Sequence, residues 1–183
     1  GTLTFQGQLD LKPEFRHLLS RVADAGLPIV MSKLEAGRKS MPHSVSSGLI
    51  LRNWLERKGY SRRLANWLSS TVDAHHGVPS GAERDAINSV LSEYPPEWRA
   101  VHNEIIDAMT ETVGVHDVLA SLKLLRNPLA AEAQILTGLI VMADWIASNP
   151  DAFPVVVSGT QTERVEGGMR SIDLTVPWIP AQL

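Results

Sequence analysis

The 183-residue sequence contains no cysteine, which excludes a disulfide framework and a zinc site with thiolate ligands. It also lacks an excess of basic residues, since 17 lysine and arginine residues face 20 acidic ones and give a net charge of −3. Binding to nucleic acid through overall basicity is therefore disfavoured, although a local basic patch stays open. The sequence has no P-loop, no dinucleotide-binding glycine motif and no GxSxG nucleophile elbow.

Targeting and membrane signals are also missing from the sequence. No basic region followed by an apolar stretch opens the chain, so we expect no signal peptide and a cytoplasmic location. The longest apolar stretch, 135–147, is interrupted by Asp144 and is shorter than the roughly 20 residues that a membrane span needs. We expect no contact with a membrane.

What is present is a helical pattern of apolar residues. The sequence is 44% hydrophobic and 20% charged, which is typical of a globular chain, and its length fits one domain with a tail. The spacing predicts an all-α fold, and the residues after Pro154 read as a short irregular tail or a connection to another module. The predicted helices end before Gly26 and cover about 42–58, 61–76, 82–93, 96–112, 115–125 and 130–148.

Asp144 interrupts the last apolar helix and is the only ionisable residue between Glu132 and Asp151. A carboxylate at this position is expected to lie against the core, where burial without a partner costs several kcal/mol. It therefore needs a metal, a cation or several hydrogen-bond donors. A structural alternative is a carboxylate that caps or bridges buried backbone groups.

Histidines stand at two helix ends. His75 continues the apolar face of the helix predicted over 61–76 and is expected to point inward, and His76 is turned about 100° further round. The alternative is one core histidine beside one surface histidine. His43 begins another helix and is followed by small residues that let a second helix or a ligand approach. Because a helix N-terminus does not favour a cation, His43 is either a ligand supported by other residues or a simple polar first residue.

The remaining histidines are predicted to have no role in a site. His116 and Asp117 are adjacent, but they stand at a helix start, where Asp117 suits the helix dipole. His17 and His102 lie in polar surroundings and are expected at the surface.

A local basic cluster surrounds one helix joint, where Glu56 is the single opposing charge. Such a run is either a solvated face or a surface that follows a phosphate backbone. Its members are Arg52, Arg57, Lys58, Arg62 and Arg63.

Taken in order, these features resemble the HD nuclease domain of the type I CRISPR-associated helicase–nuclease. The resemblance covers residue 38 to the C-terminus, and its most specific part is the Ala-Asp-Trp-Ile-Ala-Ser run at 143–148 followed by Phe153 and Pro154. The end of the chain, 174–180, is similar to the segment that leads toward the helicase. The motifs that carry the resemblance are His43 with its small residues, 73–77, and 138–149 with Phe153–Pro154.

One family motif is missing from its expected place. The family's metal site also uses an N-terminal histidine and an adjacent His-Asp pair followed by Gly-Lys. Residues 1–8 resemble the segment immediately after that pair, although a cloning scar ending in Phe-Gln-Gly explains them as well. His116 and Asp117 come after His75 and His76, in the wrong order for the missing pair.

The resemblance implies an HD-type helical bundle over 1–153, with 154–183 leading toward a helicase module in the same or another chain. It implies metal-dependent cleavage of single-stranded DNA in CRISPR antiviral interference, with the RNA-guided surveillance complex as partner and with weak or absent activity of this fragment. By resemblance, His43, His75 and His76 hold one ion and Asp144 its partner, with His75, His76 and Asp144 in the catalytic role. Histidine and carboxylate ligands suit Mn, Ni, Fe or Co, and Mg is also compatible.

Two alternatives stay open. The missing His-Asp pair favours a non-catalytic HD-fold scaffold or docking module, whereas retained ligand residues oppose it. The second alternative is an HD-type phosphohydrolase that acts on nucleotides. The sequence around Asp144 and the helicase-like end of the chain argue against it.

Overall fold

The computed structural model describes residues 16–29, 42–78, 81–124 and 130–148. The chain divides into two compact units, Gly1–Gly138 and Leu139–Leu183, and each is described by itself. In the described ranges the secondary structure is helical, with one isolated bridge between His75 and Gly77 and no strand. The expected all-α class is therefore confirmed. The helices are α1 Arg16–Asp24, α2 His43–Arg57, α3 Arg62–Asp73, α4 Gly81–Ser92, α5 Pro96–Val113, α6 His116–Leu122 and α7 Ala130–Ser148.

The central packing contact lies between α2 and α3, which are joined by a short turn. The backbone turns at Gly59, with φ +82°, and the Tyr60 amide donates to the Leu55 carbonyl across this turn. Ser61 then caps α3, because its hydroxyl accepts a 3.3 Å hydrogen bond from the Leu64 amide. The two helices are consequently antiparallel, and the start of α2 lies beside the end of α3.

Two apolar clusters hold the helices of the first unit together. In one cluster, α2 and α3 pack together, and side chains of α5 and α6 cover them through Ile106, Leu119 and Leu122. Its buried members are Trp54, Leu55, Tyr60, Leu64 and Ala65. In the other, α2 packs against α4 through Val45, Leu49, Ile87 and Leu91.

The first turn of α5 is fixed by Trp98. This side chain is buried, and its indole N–H donates a 2.7 Å hydrogen bond to the carbonyl oxygen of Pro28, in the segment that follows α1. Pro96 occupies the first turn of α5, where its missing amide hydrogen costs nothing. The predicted start of a helix at residue 96 is confirmed.

Most predicted helix bounds agree with the structure within about one residue, but the predicted ends of α3 and α6 each lie three residues too late. The spacing predicts a helix over 61–76, whereas α3 ends at Asp73 and the two histidines belong to the following turn. The segment before α2, 30–41, lies outside the described residues, and Pro42 stands at the N-cap position of α2. The predicted tail at 154–183 also lies outside the described residues.

Helix α7 is the most apolar helix of the described residues, and it crosses the boundary between the two units. It is long and apolar enough to cross a membrane by length and composition alone, a test that core helices of soluble proteins also pass. None of its side chains is fully buried, and Trp145 is 58% exposed.

Candidate metal centre

His75 and His76 lie in a tight turn immediately after α3. Gly77 ends this turn with φ +114°, a conformation that a residue with a β-carbon rarely adopts, and its amide donates to the Ala74 carbonyl. His75 is half-buried and His76 is exposed. The difference in exposure agrees with the expectation from the sequence, but the turn produces it and not a helix face.

His43 joins the two rings from the other helix. As the first residue of α2, it brings its Nε2 atom to 3.3 Å from Nε2 of His75 and 3.1 Å from Nε2 of His76. The ligand atoms of the three side chains all lie within 4.8 Å of one another. We call these three residues the histidine triad.

The spacing within the histidine triad fits a divalent transition metal. Ligand nitrogens about 2.1 Å from one ion are roughly 3.0 Å apart in octahedral geometry and roughly 3.4 Å apart in tetrahedral geometry. Two of the three separations, 3.1 and 3.3 Å, fall in this range, and the third is at most 4.8 Å. Imidazole ligands suit zinc, copper, iron and nickel, so the residues present fit a metal of this class.

The ring of His75 is oriented by the backbone of α3, the helix that precedes it. Its Nδ1 atom contacts the carbonyl oxygen of Val72, which can only accept a hydrogen bond, so Nδ1 carries the proton. The lone pair of the neutral ring is then on Nε2, the atom that faces His43. A second hydrogen bond of this kind commonly fixes the tautomer of a metal-binding histidine.

A buried carboxylate lies immediately before the turn that carries His75 and His76. Asp73, the last residue of α3, is 1% exposed, and the guanidinium of Arg84 on α4 meets its Oδ2 atom. A β-carbon on Gly48 would lie only 2.9 Å from the Ser69 carbonyl oxygen and closer still to Asp73. Glycine at 48 therefore lets α2 approach α3 closely, as the small residues after His43 predicted.

The pairing between Asp73 and Arg84 was not predicted from the sequence. Burial lowers the pKa of Arg84, and the Arg52 guanidinium lowers it further, whereas Asp85 opposes this shift. Among the described residues, neither oxygen of Asp73 accepts a hydrogen bond of normal geometry, so the ion pair is its main compensation. Two features of the sequence could have indicated a buried carboxylate here: Asp73 stands two residues before His75, and Gly48 follows about one turn into α2.

Asp144 belongs to the second unit, where it is a half-buried residue of α7. The carboxylate of Asp144 was expected to be buried against the core, and it is therefore only partly buried. Its role as a ligand beside the histidine triad stays a prediction. The cluster of potential ligands found among the described residues consists of His43, His75 and His76.

The predicted basic cluster does not form one face. Arg52 is half-buried and donates a 2.9 Å hydrogen bond to Asn88 on α4, whereas Arg57 is exposed and contacts Asn103 on α5. Lys58 lies 2.8 Å from Asp107. The exposed side chains Arg62 and Arg63 stand at the start of α3, with Arg62 4.0 Å from Glu56.

Asp107 connects this region to the core of the first unit. It also accepts a 2.9 Å hydrogen bond from the indole N–H of the buried Trp54. The hydrogen bonds from Lys58 and Trp54 hold the pKa of Asp107 below its ordinary value. Lys58 is therefore engaged in an internal contact as well as being available at the surface.

Two further histidines differ in their surroundings. His116, the first residue of α6, is exposed and lies 2.7 Å from the Glu111 carboxylate, in agreement with a structural role. His102 was expected at the surface, but it is half-buried on α5. Burial lowers the pKa of His102, and the Arg57 guanidinium lowers it further.

Comparison with known proteins identifies the class that this fold and histidine triad define. The sequence model of the family described as "Cas3, HD domain" matches residues 2–153. The chain belongs to the Cas3 HD domain family, as its resemblance implied.

The curated relatives are much longer than this chain. The CRISPR-associated endonuclease/helicase Cas3 of Thermus thermophilus is 29% identical over 116 residues, which are 61% of this chain and 12% of the relative. The CRISPR-associated nuclease/helicase Cas3 of Streptococcus thermophilus is 27% identical over an alignment of 183 residues, covering 89% of this chain and 18% of the relative. The chain therefore spans less than a fifth of either relative.

Solved structures agree with the fold. The crystal structure of the Thermus thermophilus Cas3 HD domain in the presence of Ni²⁺ has a TM-score of 0.54 at 24% identity, and the match covers 77% of this chain and 59% of that one. A crystal structure described as that of a CRISPR-associated protein has a TM-score of 0.59 at 28% identity, covering 90% and 18%. The first likeness supports the helical HD fold alone.

Proposed function

We propose that this chain is the nuclease domain of a CRISPR interference protein and that it cleaves single-stranded DNA with the help of divalent metal. The observation that carries the proposal is the meeting of three imidazoles at one point, with the Nε2 atom of His43 3.3 and 3.1 Å from those of His75 and His76. Membership of the Cas3 HD domain family supports the reaction class.

The metal site is proposed to consist of His43, His75 and His76, with Asp144 as ligand of a second ion. A bound metal supplies an activated water and charge stabilisation for phosphodiester hydrolysis. Mn, Ni, Fe or Co suits the nitrogen ligands, with Mg as a weaker candidate, and the Ni²⁺ in the related HD domain structure supports this group.

The side chains of this site have distinct tasks. His75, held by Val72, presents a fixed lone pair, and His43 is set opposite it by the packing of α2 on α3. The exposed His76 leaves the site open on the solvent side, where a flexible strand can enter. In this proposal, His75, His76 and Asp144 are the residues whose loss abolishes cleavage.

The wider setting is proposed from the relatives. Both curated relatives combine a nuclease with a helicase, so we propose a helicase module in the same or another chain, after a domain boundary near residue 153. The substrate strand is then the single strand displaced by an RNA-guided surveillance complex. The implied location is the cytoplasm.

Cleavage assays test the proposal. The chain is incubated with Mn²⁺ or Ni²⁺ and labelled single-stranded or duplex DNA, and the assay is repeated with His75→Ala, Asp144→Ala and the exposed control His116→Ala. Metal-dependent cutting of the single strand, weak in this chain if the missing His-Asp pair matters, is expected to be lost in the first two variants and kept in the control.

The alternatives give different results in the same assay. Metal binding without cutting indicates an incomplete site. This result is expected if the missing His-Asp pair of the family supplies a carboxylate that bridges two ions. No metal binding indicates a scaffold or docking module. Hydrolysis of nucleotides without DNA cleavage indicates a phosphohydrolase.

A further inference from the structure

A second concave site lies on the first unit, away from the histidine triad. It is a cavity of about 160 Å³ between α2, the end of α4 and the start of α5. Leu91 and Ile50 form its apolar floor. The polar side chains that line it are Asn53, Arg57, Ser92, Tyr94, Arg99 and His102.

The lining is rich in hydrogen-bond donors and carries positive charge. Arg57 and Arg99 each offer a guanidinium, and among the described residues that line the cavity there is no carboxylate. Arg57 donates to the neutral amide of Asn103, and the Asp107 carboxylate interacts with its charge at longer range, outside the lining of the cavity. A chain with a net charge of −3 thus concentrates cationic groups in one concavity.

The titratable groups in the cavity respond to this environment. Burial lowers the pKa of His102, and the Arg57 guanidinium adds to the shift, as expected where the local potential is positive. Burial also raises the pKa of Tyr94 to about 12, so its hydroxyl stays protonated and able to donate. The cavity therefore presents donors to an anion and offers few acceptors to a cation.

The cavity lies on the same side of α2 as the metal site. Ile50 and Arg57 follow His43 by 7 and 14 residues, which places all three within about 40° of one another around the helix axis. Arg57 lies about 21 Å along the axis from His43. A strand that leaves the histidine triad along this face passes over the cavity, within the roughly 4–16 nucleotides that a binding groove for single strands spans.

We propose that this cavity binds a phosphate group through Arg57 and Arg99, and that the phosphate is a backbone phosphodiester of the strand held at the histidine triad. Two guanidiniums match the oxygens of a phosphate in a forked geometry. Asn53 and His102 line the same cavity with further nitrogen donors. This assignment rests on the proposed function, because it takes the strand to be the substrate of that site.

Binding measured without metal tests this site separately from cleavage. The probe is a fluorescein-labelled 16-nucleotide oligothymidylate, and its anisotropy is titrated in EDTA over a range of salt concentrations. Arg99→Gln is compared with Arg21→Gln, which removes the same charge from an exposed position on α1. We expect Arg99→Gln to weaken binding about tenfold and to reduce the log–log salt slope by roughly 0.7, whereas Arg21→Gln changes neither.

A second variant and a competitor complete the test. Arg57→Gln is expected to repeat the effect, and thymidine 5′-monophosphate and inorganic phosphate are expected to compete poorly, since each offers one phosphate and no strand. Equal binding by the Arg99 and Arg21 variants overturns the inference. Competition by free phosphate at concentrations near that of the oligonucleotide also overturns the assignment to a strand.

The outcomes separate this inference from the proposed nuclease. Loss of binding in the Arg99 and Arg57 variants, in a chain that never cleaves DNA, supports the phosphate site and removes the nuclease. Metal-dependent cleavage with unchanged DNA binding in both variants supports the nuclease and removes the phosphate site.

Discussion

A β-carbon built on Gly48 would overlap Oδ1 of Asp73, so the backbone of α2 and the last side chain of α3 occupy adjoining space with no room between them. This contact lies about one turn and a half from His43 and two residues from His75. The approach of the two helices and the spacing of the histidine triad therefore depend on the same pair of residues.

Gly48→Ala is expected to destabilise the chain. The added methyl meets a buried carboxylate and a backbone carbonyl, neither of which can move aside, so we expect a loss of roughly 1–3 kcal/mol, as in other overpacked cores. Urea unfolding followed by circular dichroism measures the change. The matched control is Gly138→Ala, where nothing lies within 4 Å and alanine should stabilise α7 by up to about 1 kcal/mol. Equal stabilities of the two variants would contradict this prediction.

Arg84→Met is expected to be more costly than removal of a surface arginine. It leaves the carboxylate of Asp73 buried without its cation, a change that costs about 3–5 kcal/mol in buried pairs. Arg21→Met on the exposed part of α1 serves as control and should change the free energy of unfolding by less than about 0.5 kcal/mol. The double variant Asp73→Leu/Arg84→Met should recover part of the loss. If the double variant is less stable than Arg84→Met, the ion pair is not the source of the effect.

Metal binding is expected to raise thermal stability through the histidine triad. A ligand at one hundred times its Kd stabilises a folded protein by about 2.7 kcal/mol, because it binds the folded state alone. Addition of Ni²⁺ should therefore raise the Tm, and EDTA should reverse the increase. His43→Ala removes one of the three converging nitrogens and should abolish most of the shift, whereas His116→Ala should preserve it. An unchanged Tm on addition of Ni²⁺ to the unmodified chain refutes the metal site.

His102 is expected to make the chain less stable in mild acid. Its folded-state pKa is lowered, chiefly by burial, so the unfolded state binds the proton more readily and stability rises with pH in this range. The loss begins as the pH falls through about 6.5, the pKa of an unfolded histidine, and levels off below the folded value. Unfolding free energies measured from pH 7.5 to 5 should fall less in His102→Gln than in the unmodified chain, and His116→Gln supplies the exposed comparison. Parallel pH profiles for the His102 variant and the unmodified chain would show that the environment of His102 is not as described.

The helices were predictable because apolar spacing and turn residues agree along the chain. Gly59, Ser61 and Pro96 each stand where a helix ends or begins, so local chemistry and tertiary packing favour the same bounds. The end of α3 was misplaced because His75 continues the helical spacing of the apolar face. The burial of Asp73 depends on α2 and α4, which no local pattern contains.

The candidate site was predictable in part. The resemblance pointed to His43, His75 and His76, and the structure brings these three together. The basic run is divided between two neighbouring helices because closeness in sequence is not closeness on a helix. Arg52 and Arg57 are five residues apart, which turns them about 140° from each other and sends one toward α4 and the other toward α5. His102 and Arg99 were missed because they join Arg57 only through packing of distant helices.

All three imidazoles hang from helix ends and none from a helix centre: His43 is the first residue of α2, and His75 and His76 follow the last residue of α3. Ends of helices fray long before their middles open. Amide hydrogens around the turn at 74–77 will therefore exchange with deuterium far sooner than those near Leu49 and Leu64. An ion that binds both helix ends would slow exchange at this turn and leave the exchange rates in the helix interiors unchanged.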